Sequence, residues 1–296
     1  MDERAALRLL AEHLPDAGDD AAVVDGLVLS TDMLHARADF PAGTTAFTMG
    51  WRAVGASLSD VAAMGAEAVA AVAVYAAPTF EPDDLVAFVD GASDVCDLVG
   101  ARYVGGDLDR HDEPTVVSTA LGRTESPVRR RGADVGDVVC VTGTLGRSAA
   151  ALRQFDAGDI ESANEGFRFE PRVAAGRAVA PFVTAMMDSS DGLARSLHQL
   201  AEASGCGFAV EAAAVPVDPA VDAVVEDGAA ALRLATTVGE DFELVFTVPP
   251  ADLEAVQAAC PVPVTPLGSV VESGVTMDGE PLPDQGYTHG SEEADG

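Results

Sequence analysis

Apolar residues first recur at helical spacing: Leu7, Leu10 and Leu14 fall on one face of a charged segment, which predicts an amphipathic helix over residues 2–14. Two short apolar runs follow, near 21–24 and 27–31, split by Asp25-Gly26 in the pattern of a tight hairpin turn. Val54, Leu58 and Val61 predict a helix over Trp51–Met64, rich in small residues that allow close packing. Ala68–Tyr75 predicts a buried strand, and Pro82–Val99 a helix with proline in its first turn. Arg102–Val104 predicts a short strand running into a Gly-Gly-Asp turn, and Thr115–Gly122 a further strand. A polar, turn-rich stretch, ESPVRRRGADVGD, then interrupts the pattern. Beyond it come a strand at Val138–Val141, a helix at Ser148–Phe155 opened by GTLG, and a strand at Val183–Met187. The motif DSSDGL leads into a helix reaching about Ala203, with strands at Phe208–Glu211 and Leu244–Val248 after it. The order predicts an α+β protein of two domains, 1–125 and 126–296, ending in a disordered SEEADG tail.

Composition narrows the function classes. Apolar residues make up 48% of 296, enough for a substantial core. The longest apolar run, Ala68–Ala77, has ten residues, against roughly 20 needed to cross a bilayer. No signal-peptide core precedes the first helix, so the expectation is a soluble, cytoplasmic protein. Forty-nine acidic residues against 17 basic ones leave a net charge of −32, which excludes nucleic-acid binding by phosphate neutralisation. The excess is spread along the chain and reads as a halophile's surface, because salt near 1 M shortens screening to about 3 Å. All 17 cations are arginine. Without lysine there is no P-loop and no Schiff-base chemistry. Cys96, Cys140, Cys206 and Cys260 are too scattered for a zinc site or a disulfide framework.

The candidate chemistry lies in acidic motifs at element boundaries: Gly18–Asp20, Ser30–Asp32, Leu58–Asp60, Gly105–Asp107, Asp188–Asp191 and Gly239–Asp241. The ordinary role of an aspartate after a strand is to cap a helix. Asp60 is different, since it falls among small, core-like helical positions where aspartate is a poor choice. Single carboxylates at the mouths of several elements suit magnesium, which takes hard oxygen ligands and shares them with substrate phosphates. No motif contains histidine, so zinc is not indicated. GTLG opening a helix offers backbone N–H groups to phosphate, and Arg129–Arg131 is the one cationic run.

The motifs GDDAAV, STDML, LSDVAAMGA, GGD, RRRGADVGD, VTGTLG, DSSDGL and GEDFEL stand in the order and spacing of thiamine-monophosphate kinases. These enzymes share a superfamily with aminoimidazole ribonucleotide synthetase and selenophosphate synthetase, and the resemblance runs from about Leu7 to His289. It implies a homodimer whose N-terminal domains pair into a β-barrel, with ATP and several magnesium ions bound near that interface. It implies ATP-dependent conversion of thiamine monophosphate to thiamine diphosphate. Carried across position by position, it implies magnesium ligation by Asp20, Ser30, Thr31, Asp32, Asp60, Asp107, Asp188 and Asp191. Nucleotide contacts fall on Gly106, Asp107, Arg130 and Ser190, and thiamine contacts on Asp39, Glu240 and Tyr287. The chain departs from the usual wording at Leu108, Arg147 and Asp39.

Phosphate as nucleophile is already anionic near neutral pH, so no general acid or base is expected. Two alternatives stand beside this reading. One is another ATP-dependent kinase or synthetase of the superfamily, such as aminoimidazole ribonucleotide synthetase. The other is a non-catalytic acidic protein binding divalent ions.

Overall fold

The computed structural model describes Ala6, Leu9, Leu10, His13, Leu14 and residues 17–286. Most of the helix expected over 2–14, together with Tyr287 and the expected tail, lies outside the described residues.

Strands β1 (Ala22–Val24), β2 (Leu27–His35), β3 (Glu67–Ala77), β4 (Arg102–Arg110) and β5 (Thr115–Arg123) form one sheet in the order β1-β2-β5-β3-β4. Only β3 and β4 run parallel. The β1–β2 hairpin turns on Asp25 (φ 51°) and Gly26 (φ 79°), the left-handed pair that a two-residue hairpin demands. Helix α1 (Ala46–Ala63) crosses the inner face of this sheet, and α2 (Pro82–Leu98) packs on α1. The crossing is unusually close. A Cβ at Gly50 would overlap the Phe88 carbonyl, and one at Gly91 would overlap the Phe47 carbonyl, so glycine is required on both helices.

The second sheet has the order β12-β11-β8-β10-β6-β9-β7. Its strands are β6 (Val138–Thr142), β7 (Ala185–Asp188), β8 (Gly207–Val210), β9 (Leu244–Val248), β10 (Val264–Val271), β11 (Val275–Met277) and β12 (Glu280–Pro281). Around it lie α3 (Arg147–Ala157), α4 (Ile160–Phe167), α5 (Val173–Val179), α6 (Leu193–Ser204), α7 (Gly228–Thr237) and α8 (Leu253–Ala259). One apolar core reaches from the first sheet through α1 to Val173, Val179 and Met186. A second core, built on Val139, Leu197 and Phe208, sits on the far side of the second sheet. Helix α1 is therefore buried almost all round, which explains its many small residues.

Three expectations need correction. The Gly-Gly-Asp segment is not a turn: β4 continues through it because β3 supplies partners, Gly106 opposite Ala73 and Asp107 opposite Val74. Gly105, at φ 135°, takes up the register shift there. Helix α1 begins five residues before Trp51, because the Thr45 side chain accepts a hydrogen bond from Thr48 N (3.2 Å) and caps it. Helices α4 and α5 had no counterpart in the apolar pattern; both are short and take their stability from packing on α3 and α1.

Candidate active site

Asp20 precedes β1, Asp60 lies near the end of α1, and Asp188 ends β7. Their carboxylate oxygens come within 4.8 Å of one another. Each is held by a neighbour. The Arg130 guanidinium donates a fork to Asp20, from Nε to Oδ2 (3.1 Å) and from Nη2 to Oδ1 (2.9 Å). Ser30 Oγ donates to Asp60, and Ser59 Oγ to Asp188 Oδ2 (2.6 Å). Burial pushes the Asp60 carboxyl well above the usual carboxylate range, and the charges of Asp32, Asp188 and Asp20 push it further against the Ser30 hydrogen bond. Asp188 rises to about 8, again through burial first and then Asp20, while Ser59 and Arg130 oppose the shift. Three enclosed carboxylates at this spacing ionise together only around added positive charge. The donors are all hard oxygens, so the centre fits magnesium.

Around this centre, β2 presents alternate residues to α1. Ser30 and Asp32 face the helix, where Ser57 Oγ donates to Asp32 Oδ2 (2.8 Å) and also meets Ser118 Oγ (2.6 Å). Strand alternation turns Thr31 to the outer face, where its hydroxyl donates to Ser118 O (2.9 Å). Asp107 is exposed on β4, at the far edge of the sheet, beside Gly106. The structure thus gathers Asp20, Ser30, Asp32, Asp60 and Asp188 and leaves Thr31 and Asp107 apart from them.

The segments 188–191 and 239–243 are stitched together. Glu240 N donates to Ser190 O (2.7 Å), Phe242 N to Ser189 O (3.2 Å), and Ser189 N to Glu243 O (2.7 Å). Glu240 and Phe242 hold left-handed backbone, φ 65° and 55°. Asp191 is half-buried in the same loop. Asp39 ends the short helix Ala36–Asp39 that follows β2, its Oδ2 accepting from His35 N (2.6 Å). Tyr287 is outside the described residues.

The GTLG expectation changes. The amides that open α3 are occupied by a side chain of the chain itself: Asp241 accepts from Gly146 N (2.6 Å) and Ser148 N (2.9 Å). Of the arginine run, Arg129 pairs with Asp19 (2.9 Å) and Arg130 with Asp20, so Asp19 serves the frame and not the centre.

Two domain models cover most of the chain: "AIR synthase related protein, N-terminal domain" over residues 18–124, and the C-terminal domain of the same description over 134–278. The thiamine-monophosphate kinase of Halobacterium salinarum is 57% identical over 98% of this chain and 100% of its own length. The chain belongs to the thiamine-monophosphate kinase family. A second member, from Methanospirillum hungatei, is 42% identical over 98% of this chain and 99% of its own. Among solved structures, that of "AaThiL complexed with AMPPCP and TMP" superposes with a TM-score of 0.88 at 27% identity, covering 97% of each chain.

Beyond the motifs by which the sequence resembles thiamine-monophosphate kinases, the structure adds Arg52. It is 2% exposed, its guanidinium lies 3.6 Å from the Phe167 ring centroid, and it donates to Phe167 O and to the Glu240 carboxylate. The signal was present in the sequence: a charge among the small residues of α1 is as anomalous as Asp60. Trp51 beside it donates from Nε1 to Phe169 O (2.6 Å) and is a structural anchor.

Proposed function

We propose that this chain transfers the γ-phosphate of ATP to the phosphate of thiamine monophosphate, giving thiamine diphosphate and ADP. The observation that carries the reading is the buried centre of Asp20, Asp60 and Asp188 inside a family fold matched from end to end. The acceptor oxygen is anionic already, so the obstacle is repulsion between two phosphates that must meet in line. Magnesium bound at the centre would supply the positive charge that offsets this repulsion. Asp20, Asp60 and Asp188 would hold it, with Ser30, Asp32 and Asp191 completing the set, and Arg130 keeps Asp20 in place. No residue of the centre serves as a proton carrier.

Glu240 and Asp39 would contact the thiamine moiety together with Tyr287. Arg130 and Ser190 would contact the nucleotide, as would Gly106 and Asp107. The last two lie on β4, in a pocket of about 650 Å³ walled by Tyr75, Phe88, Tyr103 and Leu108. Exposed Leu29, Met33, Val72 and Val104 make the outer face of this sheet apolar. That supports a homodimer in which two such sheets close a barrel and bring Thr31 and Asp107 toward the nucleotide. We place the domain division at 125/126, in the loop between β5 and β6. No helix among the described residues is long and apolar enough to cross a membrane, which supports a cytoplasmic enzyme.

A coupled assay for ADP in molar KCl, offering thiamine monophosphate, thiamine or no acceptor, tests the reading. ADP and thiamine diphosphate are expected from the monophosphate alone. ADP release at the same rate in all three arms would overturn it.

A further inference from the structure

Arg52 is the largest charged group in the interior, and nothing in the phosphate chemistry uses it. Its surroundings are specific. The guanidinium stacks on Phe167, with the Phe169 and Phe242 ring centroids at 5.1 and 5.6 Å, and those two rings stack on each other at 4.0 Å. Its two hydrogen-bond partners come from segments 73 residues apart, Phe167 O at the end of α4 and Glu240 in the 239–243 loop. That loop is strained at both Glu240 and Phe242, and left-handed backbone in bulky residues persists only where the surroundings enforce it.

The helix that carries Arg52 also sets the metal centre. Residues 52, 56 and 59 share one face of α1. Arg52 grips Glu240, Ala56 packs against Phe169 and Phe242, and Ser59 holds Asp188. Glu240 N in turn donates to Ser190 O (2.7 Å), which ties the 239–243 loop to the 188–191 loop. A single helical face therefore sets the spacing between the Glu240 carboxylate and the Asp188 carboxylate of the centre.

We infer that Arg52 is the positioning residue for the thiamine end of the site: it fixes the Glu240 carboxylate and its loop at a set distance from Asp188. The inference rests on the proposed thiamine-phosphate kinase reading. Lysine carries the same charge, but its point ammonium cannot stack on Phe167 while donating to both Phe167 O and Glu240.

The test is steady-state kinetics of Arg52→Lys, Phe167→Leu, Glu240→Gln and the Arg52→Lys/Glu240→Gln pair in molar KCl, alongside the unaltered chain. Arg52→Lys is expected to raise KM for thiamine phosphate about tenfold, with KM for magnesium-ATP changed by less than about twofold. Phe167→Leu should move the same KM in the same direction, which keeps the test decisive if the lysine variant fails to fold. Because Arg52 acts through Glu240, the double variant should be no worse than Glu240→Gln. Multiplying effects in the double variant, an unchanged KM for thiamine phosphate in a folded variant, or equal losses for both substrates would overturn the inference. An unaltered chain inert toward thiamine phosphate would instead overturn the functional reading beneath it.

Discussion

At the residue scale, each carboxylate of the centre has a dedicated holder. Ser59 is the most telling of these, being fully buried and donating to Asp188 at 2.6 Å. Removing a group that orients a metal ligand commonly costs 10- to 100-fold in metal affinity. Ser59→Ala should therefore raise the magnesium concentration for half-maximal turnover about tenfold, read from a magnesium titration of the rate. Asp241 plays a different part. Burial lifts its folded carboxyl to about 7 from an ordinary 3.8, against the pull of the Gly146 and Ser148 amides. The folded chain then keeps a proton that the unfolded chain has lost, so the stability from this group falls as pH rises from about 4 to 7. The expected slope is about −1.4 kcal/mol per pH unit between pH 5 and 7. Asp60 and Asp188 add slope of the same sign, so Asp241→Asn should make the slope in urea unfolding measured at pH 5 and 6 shallower, by about that amount.

At the element scale, α1 is the piece on which everything is registered. It carries Arg52, Ser57, Ser59 and Asp60, and glycines let α2 approach it closely. Gly91→Ala would drive a methyl group into the Phe47 carbonyl. Overpacking of this kind typically costs 1–3 kcal/mol, roughly, so the variant should melt several degrees lower. Its magnesium dependence should not change, since the metal-facing side of α1 points the other way. This helix also shows what the sequence could and could not reveal. Val54, Leu58 and Val61 disclosed it, and Asp60 stood out because aspartate is out of place in such a setting. Arg52 is equally out of place by that logic, but the motifs drew attention to the aspartates and to the Arg129–Arg131 run alone. The continuation of β4 through Gly105–Asp107 was hidden because its ladder partner is a distant segment, β3, and glycine signals a turn only in the absence of such a partner. The capping role of Asp241 was hidden for a similar reason: Gly146, whose amide it accepts from, stands 95 residues earlier.

At the scale of the whole molecule, charge and the exposed sheet face decide behaviour. A net charge of −32 on 296 residues makes the compact state self-repelling. Screening falls from about 10 Å at 0.1 M salt to about 3 Å at 1 M. The melting temperature should therefore rise steadily with KCl over that range, and more than for a protein near neutrality. The outer face of the first sheet makes a second expectation. Val104→Asp, at an exposed position on the outer face of β4, should convert a sedimenting dimer into a monomer and weaken ATP binding with it. A dimer that persists with full ATP affinity would remove the barrel proposal while leaving the carboxylate centre intact. The organisation into two sheets was legible because the apolar alternation restarts after residue 126. The joining of their carboxylates into one centre was not, since it brings Ser59 to Asp188 across 129 residues.

The central claim is that the aspartates hold metal and carry no protons, and one measurement addresses it directly. Thiamine diphosphate formation is followed against magnesium concentration, at saturating ATP and thiamine monophosphate, for the unaltered chain and for Asp60→Asn. The account expects the variant to keep its fold by circular dichroism and to need at least about tenfold more magnesium for half-maximal rate, or to form no product. A folded Asp60→Asn variant with the same magnesium curve and the same maximal rate would contradict it.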